Sequence, residues 1–168
     1  MRVLITGITG FVGSHLAEYL LNEQSGHEVY GIKRWRSPRN NISNIENKVT
    51  LFDGDLNDLS SLITIFDQVK PEIVFHLAAQ SFVSSSYTAP ADTINTNVVG
   101  TSNLLEAIRF TKIDPVIHVC SSSEVYGQVD KSQLPINEST HLNPVSPYAV
   151  SKVGEDMLAY MYHQAYEL

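Results

Sequence analysis

The sequence predicts a doubly wound α/β fold, in which helices cover both faces of a parallel β-sheet. Short apolar runs alternate along the chain with segments whose apolar residues recur at helical spacing, as right-handed strand–helix–strand crossovers require. Residues 3–5 are apolar without interruption, and residues 73–77 are apolar except for His76. Such runs are typical of parallel strands buried on both faces. With 168 residues and no internal repeat, the chain is expected to form one domain.

The first strand and helix are joined by a glycine-rich turn. Residues 1–6 predict a strand, and Gly7, Gly10 and Gly13 follow it at regular spacing before a helical pattern begins. Glycines let the backbone approach a pyrophosphate, to which the helix N-terminus presents N–H groups and its positive dipole end. This order predicts a dinucleotide phosphate site. The residues of the turn that are expected to share this role are Thr9, Phe11 and Val12.

Four later strands are predicted from short apolar runs, over residues 27–32, 49–52, 73–77 and 115–120. The basic and polar segment 33–41, which contains Pro38, is predicted as a loop. His76 and His118 fall inside apolar runs and are expected to be core residues rather than ligands. We find no spacing of Cys, His and Asp that supports a metal site.

Three later helices are predicted from apolar residues at helical spacing. They cover residues 58–69, a run from Asp92 past Ile108, and a run from Pro147 toward the C-terminus. Lys70-Pro71 ends the first of these, and Pro147 suits a first helical turn. Residues 78–90 and 121–144 are predicted as loops because small, polar and turn-forming residues dominate them.

The bulk composition limits the class of partner. The chain is 43% hydrophobic and 17% charged, with a net charge of −7, so it can build a core, and nucleic acid or an anionic membrane is not expected as its main partner. The apolar runs are much shorter than the roughly 20 residues of a membrane span. Cys120 is the one cysteine, which fits a reducing cytoplasm, and its place at the end of an apolar run predicts a small buried side chain.

The tip of the second strand bears on the choice between NAD and NADP. In dinucleotide folds an acid about 20 residues past the glycines binds the ribose 2′-hydroxyl of NAD. This chain instead has Lys33, Arg34 and Arg36, and these cations favour a 2′-phosphate. We therefore predict NADP over NAD, with a solvated basic loop as the alternative interpretation.

Four residues after the fifth strand carry the predicted catalytic chemistry. Tyr148 and Lys152 are four residues apart at a helix start, so they share one helix face, where a cation beside a phenol helps Tyr148 to act as a base. Ser122 follows a parallel strand, at the sheet edge where α/β proteins bind ligands. Glu124 lies two residues further on, placed to remove a proton from carbon, with an exposed loop acid as the alternative.

These motifs resemble the extended short-chain dehydrogenase/reductases, which are nucleotide-sugar epimerases, dehydratases and reductases. The shared features are Gly7-x-x-Gly10-x-x-Gly13, Ser122 with Tyr148-x-x-x-Lys152, and Asp55-Leu56. The resemblance covers essentially the whole chain and implies an NAD(P)-binding Rossmann domain over residues 1–168. It also implies that a smaller C-terminal substrate-binding region of the family is absent from this chain.

The resemblance also implies roles for individual residues. It places Asp55 and Leu56 at the adenine. It implies that the ribose and nicotinamide are bordered by Leu77, Ala78, Ala79 and Gln80, and that Tyr148 and Lys152 serve both cofactor binding and catalysis. Asn97, Ser81 and Ser85 are expected near the site.

Within this family several segments resemble the GDP-mannose 4,6-dehydratases. They are Gly7-Ile8-Thr9-Gly10, Gly31-Ile32-Lys33-Arg34, Ala78-Ala79-Gln80-Ser81 and the run 105–110. Those dehydratases usually have Gln-Asp where this chain has Phe11-Val12. Residues 125–129 and 134–136 look more like the GDP-4-keto-6-deoxymannose reductases.

The resemblance leaves three functions open. The first is 4,6-dehydration of a GDP-hexose, most simply GDP-mannose, with internal hydride transfer through tightly bound NADP. The second is the reductase, or another epimerase or dehydratase of this family. The third is a dinucleotide-binding module without turnover, because of the missing C-terminal region.

The last helix carries more apolar surface than one contact needs. Val150, Val153, Met157 and Met161 line one of its faces. The resemblance implies that this helix and the long helix from Asp92 pair with a second subunit. A homodimer or homotetramer is therefore expected.

Overall fold

A single parallel sheet organises the molecule, in a computed structural model that describes residues 1–22 and 26–168. Its five strands lie in the order β3-β2-β1-β4-β5. Their bounds are Arg2–Thr6 (β1), Glu28–Lys33 (β2), Thr50–Asp53 (β3), Ile73–His76 (β4) and Val116–Val119 (β5). Every neighbouring pair is parallel. The prediction of a doubly wound parallel sheet, a Rossmann fold, is confirmed.

The strand order reverses between β1 and β4. The chain runs outward from β1 through β2 to β3, then crosses back to add β4 and β5 on the other side. Thr6 is in register with Ile32 on β2 and with His76 on β4, and His76 is in register with Val119 on β5. The carboxyl ends of these strands therefore meet at one edge, where open α/β sheets bind ligands.

The helices agree with the predicted pattern except around residues 78–111. Their bounds are Phe11–Asn22 (α1), Leu59–Val69 (α2), Val83–Thr88 (α3), Pro90–Ile94 (α4), Gly100–Thr111 (α5) and Pro147–Tyr166 (α6), with a π-helix at Asn95–Val99. The long helical run begins at Pro90 rather than Asp92, and α3 lies inside the predicted loop 78–90. The sequence does not predict α3 because of its serines. The Ser86 hydroxyl donates a hydrogen bond to the Val83 carbonyl at 2.7 Å, and such side-chain-to-backbone bonds lower the helix propensity of serine. Packing against α4 and α6 stabilises the helix nonetheless.

The core lies in two layers, one on each face of the sheet. Leu4 packs with residues of α2, α5 and α6, whereas Val3 and Ile5 pack with residues of α1. The alternation follows from the pleat, which points successive side chains to opposite faces. All three side chains are fully buried. The first strand is apolar at residues 3–5 because both of its faces are buried.

Strands β3 and β5 are the two edges of the sheet in the described part of the chain. Strand β5 pairs with β4 on one side, and Val116 is 71% exposed. The prediction that His118 is a core residue is wrong: His118 is exposed and lies on the same face of β5 as Val116. His76, on the inner strand β4, is buried as predicted. Among the helices that the structure describes, none combines the length and the hydropathy for crossing a membrane.

Candidate active site

A cavity of about 690 Å³ opens at the carboxyl ends of the strands. The glycine turn, the segments after β3 and β4, the end of β5 and the start of α6 form its walls. All the residues predicted to bind the cofactor line this cavity except Arg36. Asp55, for example, lies at its wall with its carboxylate accepting a hydrogen bond from the Asn57 amide at 2.9 Å. The cavity thus coincides with the switch point of the sheet.

The glycine turn packs too tightly for side chains at two positions. Gly7 has a φ of +70°, and a Cβ there would lie 3.0 Å from the Ala78 backbone. A Cβ at Gly13 would lie 2.5 Å from the Gly7 carbonyl oxygen. Glycine at these positions lets the N-terminus of α1 approach the cavity, which leaves room for a phosphate against the backbone.

Thr6 links the glycine turn to the segment that follows β4. Its Oγ1 accepts hydrogen bonds from the backbone N–H groups of Leu77 at 3.1 Å and Ala78 at 3.0 Å. Because Oγ1 uses both lone pairs in this way, its own hydrogen is left to be donated elsewhere. The contact fixes two walls of the cavity relative to each other.

The Thr6 hydrogen goes to His76, whose ring joins two threonines. Thr101 must donate to the Asn97 carbonyl, which lies 2.6 Å from its Oγ1 and can only accept. His76 Nε2 therefore donates to Thr101 Oγ1 at 3.0 Å, and Nδ1 accepts from Thr6 Oγ1 at 2.9 Å. Burial, and secondarily the Lys152 ammonium, lowers the pKa of His76 to about 3. The ring is neutral and held in one tautomer.

Asn97 ties the segment after β4 to the last helix. Its side-chain oxygen accepts from the Gln80 amide at 2.7 Å, and its Nδ2 donates to the Gln80 carbonyl at 3.1 Å and to Ser151 Oγ at 2.8 Å. Asn97 lies in the π-helix Asn95–Val99, an irregularity that often marks functional sites. Sequence reasoning placed Asn97 near the site through the resemblance alone, since no local pattern predicts a π-helix.

Tyr148 and Lys152 lie together at the start of α6. Ser146 caps this helix by accepting a hydrogen bond from the Ala149 amide at 3.0 Å, which puts Tyr148 in the first turn. The Lys152 ammonium lies 5.8 Å from the centre of the Tyr148 ring. Lys152 Nζ also donates to the Cys120 carbonyl at 3.1 Å. A phenol beside an ammonium, both at the cavity wall, is suited to proton transfer.

Glu155 is a buried acid at the site that the sequence analysis missed. Its Oε2 accepts from Lys152 Nζ at 3.0 Å, and its side chain is 1% exposed. Burial raises the pKa of Glu155 to about 7, although Lys152 acts in the opposite direction. The spacing of three residues from Lys152 on one helix face was the available signal.

Ser122 and Glu124 lie beside the cavity rather than in its described lining. The Ser122 side chain accepts a hydrogen bond from the Glu124 amide at 3.2 Å and so caps the 3₁₀ turn Ser123–Tyr126. Glu124 is exposed. Cys120, predicted as a buried hydrophobe, is only half-buried and lines the cavity together with Ser121, because β5 ends at Val119.

The three predicted cations occupy different environments. Lys33 is buried and paired with the Asp53 carboxylate, so its charge is balanced. Arg34 is exposed and lines the cavity, whereas Arg36 is exposed but outside the described lining. The local sequence could not indicate the Lys33–Asp53 pair, which joins neighbouring strands β2 and β3.

This chain is similar to known proteins both in sequence and in structure. Residues 4–168 match the profile of the family described as GDP-mannose 4,6 dehydratase. The chain belongs to the GDP-mannose 4,6 dehydratase family. A GDP-mannose 4,6-dehydratase of Vibrio cholerae is 40% identical, over 97% of this chain and 46% of that protein. A UDP-glucose 4-epimerase of Mycolicibacterium smegmatis is 39% identical, over 100% of this chain and 53% of that protein.

A solved structure supports the place of this chain among the extended short-chain dehydrogenase/reductases. A dTDP-glucose 4,6-dehydratase of Streptomyces venezuelae, solved with NAD bound, superimposes with a TM-score of 0.89 at 34% identity. The match covers 100% of this chain and 53% of that one. The chain therefore spans about half the length of the relatives it matches in the GDP-mannose 4,6 dehydratase family.

Proposed function

We propose that this protein is a nucleotide-sugar 4,6-dehydratase that acts on GDP-mannose with NADP. The observation that carries the proposal is the Tyr148–Lys152 pair at the wall of the cavity, in a chain of the GDP-mannose 4,6 dehydratase family. Residues 1–168 would be its dinucleotide-binding domain, and a separate region would supply most substrate contacts. The single cysteine favours the cytoplasm as its compartment.

The residues present fit a nicotinamide dinucleotide. The glycine turn offers backbone within reach of a pyrophosphate, since the absence of a Cβ at Gly13 lets the start of α1 pack directly against the backbone of Gly7 and Ile8. Arg34 is the exposed cation at the cavity wall that favours a 2′-phosphate, hence NADP over NAD. Lys33, balanced by Asp53, adds little to this preference. Thermal stabilisation by NADPH and NADH tests it, and equal stabilisation would contradict the choice of NADP.

The bound dinucleotide would supply the hydride acceptor and, later, the hydride donor. Tyr148 accepts the proton of the sugar 4-hydroxyl as that carbon is oxidised, and Ser122 donates a hydrogen bond to the same oxygen. The resulting 4-keto group acidifies the proton at C5, and Glu124 removes it. Glu124 passes this proton to the C6 hydroxyl, which leaves as water. The hydride would then return to C6 while C5 takes up the proton held by Tyr148, so the cofactor would be regenerated. A general base of this kind contributes about 10²–10⁴-fold in rate.

The deciding experiment gives the full protein GDP-mannose without added reductant. A dehydratase forms the 4-keto-6-deoxy product, a reductase leaves the sugar unchanged, and an epimerase inverts it without loss of water. The last outcome is a real alternative, since the epimerase of Mycolicibacterium smegmatis is 39% identical. Stabilisation by the dinucleotide without turnover would support a binding module instead.

Glu124 is tested through the exchange of the C5 proton with solvent. Glu124→Gln keeps the size of the side chain and removes the base, so we expect cofactor binding to persist and exchange to stop. Glu138→Gln, in an exposed position of the following loop, is the matched control and should exchange normally. Exchange at the wild-type rate in Glu124→Gln would refute the assignment of the base.

We further propose that the protein is a homodimer through α6 and the helical run 90–111, or a homotetramer built from such dimers. Val150, Met157 and Met161 form an exposed apolar strip along one face of α6. Sedimentation of Met157→Lys should show more monomer than wild type. Tyr19→Lys, at an exposed position of α1, should sediment as wild type does, and a monomeric wild-type protein would contradict the proposal.

A further inference from the structure

Lys152 joins the cavity to a buried carboxylate behind it. Its ammonium donates to the Cys120 carbonyl at 3.1 Å and to Glu155 Oε2 at 3.0 Å. Lys152 lines the cavity, whereas Glu155 is outside the described lining. An ammonium has three hydrogens, so these two bonds hold it in place and leave one N–H directed elsewhere. The Glu155 carboxylate thus balances the positive charge of Lys152 at the cavity wall.

The Glu155 carboxylate depends mainly on Lys152 for its stabilisation. Its side chain is 1% exposed, and within the described residues its Oε1 makes no hydrogen bond. A buried ion is held by its pairing and by hydrogen bonds, and a half-satisfied one is easily neutralised by a proton. The unbonded Oε1 is the oxygen that can take that proton while Oε2 continues to accept from Lys152.

We propose that Glu155 is a positioning residue whose proton sets the charge that Lys152 presents to the cavity, and that it thereby makes the protein discriminate between oxidised and reduced nicotinamide dinucleotide. The inference rests on the proposed function, which puts the nicotinamide near Tyr148 and Lys152. The oxidised ring is a cation and the reduced ring is neutral, so a change of one unit in the local charge acts on the oxidised form alone.

The pH at which Glu155 ionises supports the proposal that the geometry carries. Burial raises the pKa of Glu155 to about 7, so the pair is neutral above that pH and carries one positive charge below it. The charged or titratable group that faces the pair from β4 is His76, and burial lowers its pKa to about 3. The histidine therefore stays neutral throughout this range. From the end of β5 the contact is the Cys120 backbone carbonyl, which does not titrate.

The test measures the dissociation constants of NADP⁺ and NADPH at several pH values between about 6 and 8.5. The single tryptophan, Trp35, lies next to Arg34 and offers a fluorescence readout of binding. The ratio of the two constants cancels effects common to both ligands, such as titration of the 2′-phosphate. In the wild type we expect NADP⁺ to weaken relative to NADPH, on the order of tenfold, as the pH falls through about 7.

Glu155→Gln removes the carboxylate and keeps an acceptor for Lys152. Its ratio should stay near the low-pH value of the wild type at every pH. Asp156→Asn, at an exposed neighbouring position on the same helix, is the matched control and should follow the wild-type profile. If Glu155→Gln does not fold, the wild-type series still decides, because a ratio independent of pH overturns the proposal.

The outcomes separate this inference from the proposed function. A ratio independent of pH in a protein that dehydrates GDP-mannose overturns the role of Glu155 alone. A ratio that changes with pH in the wild type and stays constant in Glu155→Gln supports that role, even if no dehydration is found. A Glu155→Gln profile identical to the wild type overturns it, since the proton would then reside on another group.

Discussion

Gly13 shows how one missing side chain shapes the site. A Cβ at this position of α1 would lie 2.5 Å from the Gly7 carbonyl oxygen and 2.9 Å from the Ile8 Cα. Both neighbours are backbone atoms, which cannot rotate away. At Gly10 the nearest atom would be 3.2 Å from the Cβ, a contact that a small shift relieves. The two glycines therefore differ in what they tolerate.

We predict that Gly13→Ala loses most of its affinity for a dinucleotide, whereas Gly10→Ala loses less. The first change forces the N-terminus of α1 away from the phosphate position, and the second requires only a local adjustment. The shift of the melting temperature with added NADPH measures both. Equal binding by Gly13→Ala and wild type would show that the turn does not contact the cofactor.

At the scale of elements, a polar contact joins α5 to α6. The Tyr162 hydroxyl donates to Glu106 Oε1 at 2.7 Å, and Arg109 donates to the other oxygen at 2.6 Å. These bonds, that of Arg109 first, hold the pKa of Glu106 below its usual value. The Tyr162 side chain is otherwise packed in the core beside α5. The contact therefore ties α6 to α5.

We predict that Tyr162→Phe lowers the free energy of unfolding by about 1.5–3 kcal/mol, since hydrogen bonds to charged groups are worth that much. The loss should be present above pH 4.5, where the carboxylate is ionised in both states, and should shrink below it. Tyr160→Phe, at a position that is 64% exposed, is the control. Chemical denaturation of both variants checks the difference, and equal stability would contradict it.

At the scale of the whole molecule, two buried groups act on stability in opposite directions. The pKa of His76 falls from 6.5 to about 3, so its contribution is complete above 6.5 and is lost as the pH falls toward 3. The pKa of Glu155 rises from 4.5 to about 7, so its contribution is complete below 4.5 and is lost as the pH rises through 7. Each contributes a slope of at most about 1.4 kcal/mol per pH unit.

We predict that these slopes nearly cancel between pH 4.5 and 6.5, and that single variants reveal them. His76→Gln keeps an acceptor for Thr6 and a donor for Thr101, and its stability should fall as the pH rises through this range. Glu155→Gln should instead gain stability over the same range. Urea unfolding at several pH values measures the slopes, and parallel profiles for the two variants would contradict the opposed contributions.

Much of the fold could be predicted because its signals are local. The apolar run of β1, the glycines after it and the helical spacing of α2 each lie within a few residues of chain. The glycine turn and the Tyr148–Lys152 pair are equally local, and the structure brings both to one cavity. The serine-rich α3 was missed because local propensity opposes it, and only packing against α4 and α6 decides in its favour.

The sequence by itself determined the alternation of strands and helices, the phosphate turn and the family to which the chain belongs. The tertiary structure decided the rest: that Asp53 balances Lys33 across two strands, that Asn97 in a π-helix connects the segment after β4 to α6, and that Glu155 is buried behind Lys152. These facts depend on which residues meet from distant parts of the chain and on how much water remains between them. Periodicity and motif spacing carry no such information, because they describe neighbours along the chain.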